Sequence, residues 1–140
     1  MLSPSLEDYL EELYRLKVNN KEIRVKDIAY CLDVSMPSVV NGLRRLGRLD
    51  YIIYEPYEKI EITEKGKKKG KFLVMRNKIL KDFIDVIESD CDSEKEAEAM
   101  EHYLSISTIK CIEKMVAFLK NNTHILDKMI NYEIESQLND

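Results

Sequence analysis

The sequence predicts a mainly α-helical protein with one small β-hairpin, built as an N-terminal winged helix-turn-helix and a C-terminal helical dimerisation domain. Residues 25–49 place apolar side chains at helical spacing on both sides of a short turn, a pattern typical of a helix-turn-helix. Two short runs rich in β-branched and aromatic residues follow at 51–55 and 59–63, and they predict a hairpin, the wing. Amphipathic helical stretches fill the remainder. We therefore expect domains at residues 1–71 and 72–140.

The first predicted helix begins after Ser3 and runs to about Val18. Asp8 and Glu11 lie three positions apart, so their carboxylates share one face of this helix. Taken alone, the pair is typical of a solvated acidic face near a helix N-terminus, where negative charge is favourable.

The second helix of the helix-turn-helix is predicted to be the recognition helix. Asp33 and Val34 form the turn before it, and Ser35 is expected to cap it. Its inner side is apolar, whereas its outer side is polar and basic and is expected to enter the major groove of DNA. Our candidates for DNA contact are the outer residues and one lysine of the wing tip: Pro37, Ser38, Asn41, Arg44, Arg45, Arg48 and Lys59. A small helical bundle with an incidental strand pair is the alternative explanation.

The candidate residues are expected to make two kinds of DNA contact, to bases and to phosphates. Ser38 and Asn41 are predicted to contact base edges, and Pro37 a thymine methyl group. The four basic residues are predicted to contact phosphates instead.

Charge is distributed unevenly along the 140 residues. The net charge is −4, but residues 1–80 hold 16 Lys and Arg against 12 Asp and Glu, whereas residues 81–140 hold 6 against 14. The positive half coincides with the winged helix, so the acidic total does not oppose DNA binding. The three cysteines are widely spaced, which predicts reduced thiols, and we expect a cytoplasmic protein with no membrane segment and no signal peptide.

Four further helical stretches are predicted after the wing. The first is a linker helix whose wide apolar surface, interrupted by Asn77, indicates packing on both sides and an oligomer contact. The next covers about 94–104 and places Glu98, Glu101 and His102 at positions i, i+3 and i+4. Such a set can chelate a divalent cation, although a charged face with a Glu–His pair is the simpler explanation. The last two cover 105–120 and 123–138, and the regular apolar stripe of the final one is expected to pack on a dimer or domain interface.

These features together resemble the diphtheria toxin repressor family, above all its short branch, the manganese transport regulators. The resemblance covers nearly the whole chain. It rests on the opening PSLEDYLEELY, the helix-turn-helix, the TEKGKKKG junction after the wing, the RNKIL segment and EAMEHYLS. It implies a homodimeric, metal-activated repressor with a winged helix and a helical dimerisation and metal-binding domain.

The resemblance also implies a set of metal ligands. Carried over from the manganese branch, they are Asp8, Glu11, Glu98, Glu101 and His102. Carboxylates at 8 and 98, where the iron-responsive branch has softer sulfur-containing residues, favour Mn²⁺, with Fe²⁺ as the second candidate. The family has a histidine where this chain has Asn77, whose amide oxygen is a weaker ligand. In order of preference, we expect a site for one ion where relatives bind two, a weak site, or a lost metal switch.

The function expected from the sequence is metal-dependent repression of metal-homeostasis genes by a homodimer on double-stranded DNA, without a small-molecule substrate. A winged-helix regulator with a degenerate, metal-independent switch is the alternative. A carboxylate-metal enzyme is disfavoured, because the sequence contains no Glu-x-x-His pair and no other catalytic constellation. A pure oligomerisation scaffold would not need the basic outer side of the recognition helix.

Overall fold

A computed structural model describes residues 1–138, which form seven α-helices and one two-stranded antiparallel sheet. The chain divides into two compact units, Met1–Met75 and a second that begins at Arg76. In chain order the elements are α1 (Pro4–Val18), α2 (Val25–Leu32), α3 (Met36–Arg48), β1 (Ile52–Ile53), β2 (Glu61–Ile62), α4 (Glu64–Val86), α5 (Ser93–Glu101), α6 (Ile106–Asn121) and α7 (Thr123–Ile130). Within this described part, no helix is both long and apolar enough to cross a membrane.

The first unit is built around the apolar stripe of α1. Leu10 and Leu13 of α1 and Leu43 of α3 are completely buried in its core. Ser3 caps α1 by accepting a hydrogen bond from the Leu6 amide at 3.4 Å, and proline occupies the first turn, where its missing N–H is harmless. The helix boundaries predicted for α1, α2 and α3 agree with the structure because each start has a local capping signal or an apolar period.

The wing is shorter than the sequence predicted. Strands were expected at 51–55 and 59–63, but only Ile52 pairs with Ile62 and Ile53 with Glu61. Pro56 supplies no N–H to a ladder, and Tyr57 adopts a φ of 66°, so the chain leaves the pleated conformation early. The connection between the strands is therefore a long loop and not the predicted three-residue tip.

The start of α4 is joined to the base of the wing by hydrogen bonds and by a close backbone contact. Thr63 Oγ1 donates to the carbonyl oxygens of Asp50 and Tyr51, at 2.6 and 3.0 Å, and accepts from the Gly66 amide at 3.0 Å. At Gly66 a Cβ atom would overlap the Tyr51 carbonyl and lie 2.7 Å from Ile62 Cγ2. Only glycine therefore allows α4 to approach the wing this closely.

The second unit has a smaller core, centred on Leu80 and Ile84 of α4 and Ala97 of α5. The helix predicted over 94–104 is shorter than expected, because α5 ends at Glu101 and a turn bond joins the Tyr103 amide to the Met100 carbonyl at 3.1 Å. The turn allows Ser105 to cap α6, since its Oγ accepts from the Thr108 amide at 3.1 Å.

The final helix also ends earlier than predicted. A helix was expected over 123–138, but α7 stops at Ile130. The Asn131 side chain donates to the Asp127 carbonyl at 2.8 Å, and this local bond competes with continuation of the helix. No residue of α7 is buried in this unit.

Candidate nucleic-acid interface and metal centre

The turn between α2 and α3 is shaped by one residue in a left-handed conformation. Asp33 has φ 50° and ψ 49°, which reverses the chain direction, and the Val34 amide then donates to the Ala29 carbonyl at 3.0 Å. Ser35 begins α3 by accepting from the Ser38 amide at 3.3 Å, and its hydroxyl lies 2.8 Å from the Ser38 hydroxyl. The turn and cap together fix the start of the recognition helix.

The two sides of α3 differ sharply in exposure. Val39, Leu43 and Leu46 are completely buried and hold the helix against the core of the first unit. The predicted DNA-contact residues of α3 are all exposed on this unit: Pro37, Ser38, Asn41, Arg44, Arg45 and Arg48. This arrangement leaves a polar, basic surface available to a groove of DNA.

The basic residues proposed to contact DNA line two different grooves of the first unit. A groove of about 390 Å³ between α3 and the wing is lined by Arg44 and Arg48. Lys59 does not line it, and instead borders a second groove of about 460 Å³ together with Lys17 and Lys21. Sequence reasoning missed these last two lysines, although their position just before the helix-turn-helix was the available signal.

The groove that holds Lys59 also contains one acidic residue, Glu22. Arg24 Nη2 donates to its carboxylate at 2.8 Å. The pKa of Glu22 lies below its ordinary value, first because of this hydrogen bond and the charge of Arg24, and further because of the positive charge of Lys59. The carboxylate therefore stays ionised at neutral pH and offsets part of the positive charge of the groove.

The candidate metal residues of the first unit are both on α1. Asp8 and Glu11 are half-buried, and Arg15 Nη2 lies 3.1 Å from Glu11 Oε1. Glu7, which was not predicted as a site residue, is buried and lies 3.8 Å from Lys69 Nζ. Together with Glu12, α1 thus carries four carboxylates within two turns.

The candidate metal residues of the second unit centre on the end of α5. The Glu101 side chain is only 1% exposed, and its Oε1 lies 3.7 Å from Nε2 of His102, which is 8% exposed. Two ligand atoms bonded to one Zn²⁺ at ~2.1 Å are roughly 3.4 Å apart, so a small shift would bring this pair onto a shared ion. Carboxylate oxygens and imidazole nitrogens both ligate divalent metals, so this donor set fits a divalent cation.

Two neighbouring residues of α4 contact this pair. Asn77 Nδ2 donates to Glu101 Oε2 at 3.0 Å, and Arg76 Nη2 lies 3.4 Å from His102 Nδ1. Arg76 was not predicted from sequence, although a charged residue within an apolar helical stretch was a visible signal.

Glu98 differs from the Glu101–His102 pair in its exposure. It lies one turn before Glu101 on α5, yet its side chain is exposed, and Ala97 is the residue of that turn that packs into the core. α5 ends at Glu101, and His102 is its C-cap residue, with φ −79° and ψ −17°. Within the second unit the structure brings together Asn77, Glu101 and His102.

The exposed basic side of a capped helix-turn-helix, the adjoining wing and a buried Glu–His pair in a separate helical unit define a class: winged-helix DNA-binding regulators that respond to a metal. The comparisons with known proteins agree with this class. Residues 1–60 match "Iron dependent repressor, N-terminal DNA binding domain", and residues 63–129 match "Iron dependent repressor, metal binding and dimerisation domain". The chain belongs to the iron dependent repressor family. It is a metal-dependent, DNA-binding transcriptional regulator and not an enzyme.

Proteins with similar sequences are also named as transcriptional regulators. The chain is 38% identical over 130 residues to "HTH-type transcriptional regulator MntR" of Shouchella clausii, a match that covers 92% of this chain and 91% of the relative. It is also 38% identical over 125 residues to MntR of Bacillus subtilis, covering 87% of each.

Solved structures show the same fold at lower identity. "Structure of the manganese regulator SloR" matches with a TM-score of 0.74 and 24% identity, over 84% of this chain and 55% of that one. "Crystal Structure of ScaR with bound Zn2+" matches with a TM-score of 0.65 and 24% identity, over 81% and 54%. The chain therefore spans about half the length of these two solved proteins.

Proposed function

We propose that this protein is a manganese-responsive repressor that binds double-stranded DNA as a homodimer and controls genes of metal homeostasis. Residues 1–71 are assigned to DNA binding, and residues 72–140 to dimerisation and metal binding. The observation that carries the proposal is the buried Glu101 carboxylate facing His102, in the part of the chain that matches a metal-binding domain.

The choice of manganese rests on ligand chemistry and on similar proteins. The proposed ligands are mainly carboxylates, which suit Mn²⁺ better than softer metals. SloR is described as a manganese regulator, and ScaR was crystallised with Zn²⁺. Fe²⁺ remains the second candidate, because imidazole and carboxylate ligands also suit it.

In the proposed mechanism, the metal ligands are those that the family resemblance implies. The carboxylates of Asp8, Glu11, Glu98 and Glu101 repel one another when no ion is bound, and His102 completes the ligand set. A bound divalent cation supplies the positive charge that lets these carboxylates approach. The ion then binds the DNA-competent state more tightly than the alternative, and this preference for one state is what shifts the population.

A homodimer is proposed because a wide apolar surface remains exposed on the second unit. Along α6, Met115 and Phe118 are 42% and 52% exposed, and along α7, Ile125 and Met129 are 41% and 39% exposed. A second copy of the chain packed on this surface would remove it from water, which favours association. In such a dimer the two recognition helices must reach successive major grooves, about 34–36 Å apart.

The experiment that tests the proposal measures DNA affinity by fluorescence anisotropy on the DNA upstream of the protein's own gene. Titrations at fixed salt are run with a chelator and then with added Mn²⁺, Fe²⁺ or Zn²⁺. We expect the affinity to rise with Mn²⁺ and to fall again when the chelator is restored. Equal affinity in all four conditions would show that DNA binding is independent of metal.

A metal-independent regulator is the second candidate function, and one observation favours it. Asn77 and Arg76 already provide hydrogen-bond donors to Glu101 and His102, so the pair has partners without an ion. This candidate predicts full DNA affinity in the presence of the chelator. The same titration therefore distinguishes the two functions.

A further inference from the structure

We propose that Asn77 is a positioning residue for Glu101 and not a metal ligand, and that it leaves a site for one divalent ion per protomer. The inference rests on the proposed manganese function. It concerns only residues of the second unit, whose contacts with one another are described above.

The two oxygens of the Glu101 carboxylate have different partners. Oε1 is the oxygen that faces His102, at 3.7 Å from Nε2, so an ion held by both residues binds Oε1. Oε2 accepts a hydrogen bond from the Asn77 amide at 3.0 Å. A carboxylate that bridges two ions uses one oxygen for each, and here the second oxygen is bonded to a neutral donor. Glu101 is therefore arranged to bind a single ion.

The Asn77 amide meets Glu101 through its nitrogen. The Asn77 nitrogen that meets Glu101 can donate hydrogen bonds but cannot ligate a cation. Hydrogen bonds of this kind to a ligating carboxylate fix its orientation, and their loss typically lowers metal affinity by about 10–100-fold. Asn77 is consequently expected to act on the metal through Glu101.

Arg76 places a positive charge beside the Glu101–His102 pair. The Arg76 side chain is mostly buried, and its Nη2 lies only 3.4 Å from His102 Nδ1. A permanent positive charge beside one ligand opposes the approach of a second divalent cation, and the effect is stronger in a buried setting than in water. One ion together with Arg76 compensates the acidic ligands without this additional repulsion.

The test measures the stoichiometry and affinity of Mn²⁺ binding to the full chain by calorimetry, with free Mn²⁺ monitored by electron paramagnetic resonance. We expect the wild type to bind one ion per protomer. Asn77→Ala is expected to bind one ion about tenfold more weakly. The double variant Arg76→Ala/Asn77→His, which offers a ring nitrogen, removes the amide from Oε2 and removes the neighbouring positive charge, is expected to bind two. Asn121→Ala is the matched control, because Asn121 is an exposed asparagine whose amide donates to the Ala117 carbonyl at 2.9 Å, and it should bind as the wild type does.

A double-mutant cycle separates positioning from ligation. Glu101→Asp shortens the side chain by one methylene and withdraws the carboxylate from Asn77 while preserving the charge. If Asn77 acts through Glu101, adding Asn77→Ala to Glu101→Asp changes the Mn²⁺ affinity less than twofold. A full additional tenfold loss would make Asn77 a ligand and overturn the inference.

The outcomes also separate this inference from the proposed function. Two ions bound by the wild type, or an Asn77→Ala variant with wild-type affinity, would overturn the role of Asn77 and leave manganese regulation standing. A wild type that binds no Mn²⁺ would overturn both. A single ion whose binding fails to tighten DNA binding would support the role of Asn77 and contradict the proposed function.

Discussion

The recognition helix shows how individual residues can be assigned separate tasks. Asn41 and Arg44 are both exposed on α3, but an amide can read a base edge by paired hydrogen bonds, whereas a guanidinium at the groove beside the wing suits a phosphate. We expect Asn41→Ala to reduce discrimination at one base position by about 1–3 kcal/mol. Anisotropy on a set of single-base operator variants measures this effect.

Arg44 should behave differently, because phosphate contacts carry no sequence information. Arg44→Ala is expected to weaken binding to every operator variant alike and to lower the slope of log affinity against log salt by about one. Titrations at several salt concentrations provide the slope. Loss of preference at a single base position after Arg44→Ala would contradict the assignment.

Glycine at position 66 is required by a contact and not by a turn. A Cβ atom there would overlap the Tyr51 carbonyl, a backbone atom that cannot move aside cheaply. We expect Gly66→Ala to lower the free energy of unfolding by about 1–3 kcal/mol, measured by urea denaturation with a chelator present. Gly47→Ala is the matched control, since the nearest atom to its Cβ would be 3.9 Å away, and alanine favours a helix.

Residues whose neighbours come from distant parts of the chain were the hardest to interpret from sequence. The exposure of Asn41 and Arg44 followed from the helical period alone. The bond from Asn77 to Glu101 joins residues 24 positions apart, and the Arg76–His102 contact joins residues 26 apart. No local period encodes such contacts. Helix spacing was therefore enough to identify the outer side of α3. The residues around Glu101 could be identified only from the three-dimensional structure.

At the level of elements, helix starts were predictable because they depend on nearby side chains. Ser35 and Ser105 each cap a helix through the amide three residues later. We expect Ser35→Ala and Ser105→Ala each to lower the free energy of unfolding by about 1 kcal/mol. Only Ser35→Ala should also weaken DNA binding, because it loosens the start of the recognition helix. Equal DNA affinities for the two variants would show that this cap is not important for DNA contact.

Element ends were less predictable, and two examples show why. The apolar period of the last stretch continues to Leu138, yet the Asn131 side chain competes for the backbone and α7 ends at Ile130. In the wing, the β-branched pattern covers more residues than the two pairs that form, because Pro56 and the positive φ of Tyr57 interrupt the pleat. Side-chain patterning indicates what an element prefers, but single residues decide where it stops.

At the level of the whole molecule, dimerisation should depend on the exposed apolar surface of α6 and α7. Phe118→Glu places a charge in the middle of that surface, so we expect the variant to sediment as a monomer at micromolar concentration and to bind DNA weakly. Lys110→Glu, a charge reversal two turns away on α6, is the matched control and should remain dimeric. A dimeric Phe118→Glu variant would place the interface elsewhere.

Metal binding should also be visible in the stability of the whole chain, independently of DNA. An ion that binds only the folded state, present at about 100 times its Kd, adds about 2.7 kcal/mol to the free energy of unfolding. Thermal or urea unfolding with Mn²⁺ and with a chelator measures this increment. We expect Glu101→Gln to abolish most of it, and the effect of Glu98→Gln tests whether this exposed carboxylate is a ligand at all. An unchanged increment in Glu101→Gln would remove Glu101 from the site.

Because α3 has one buried and one exposed side, its DNA-contact residues can change during evolution independently of its core residues. The residues that anchor the helix, Val39, Leu43 and Leu46, have no exposed surface, whereas Ser38 and Asn41 make no contribution to the core. Substitutions at 38 and 41 can therefore accumulate with little loss of stability. Descendants of this gene can acquire new target promoters while they inherit the same folded scaffold.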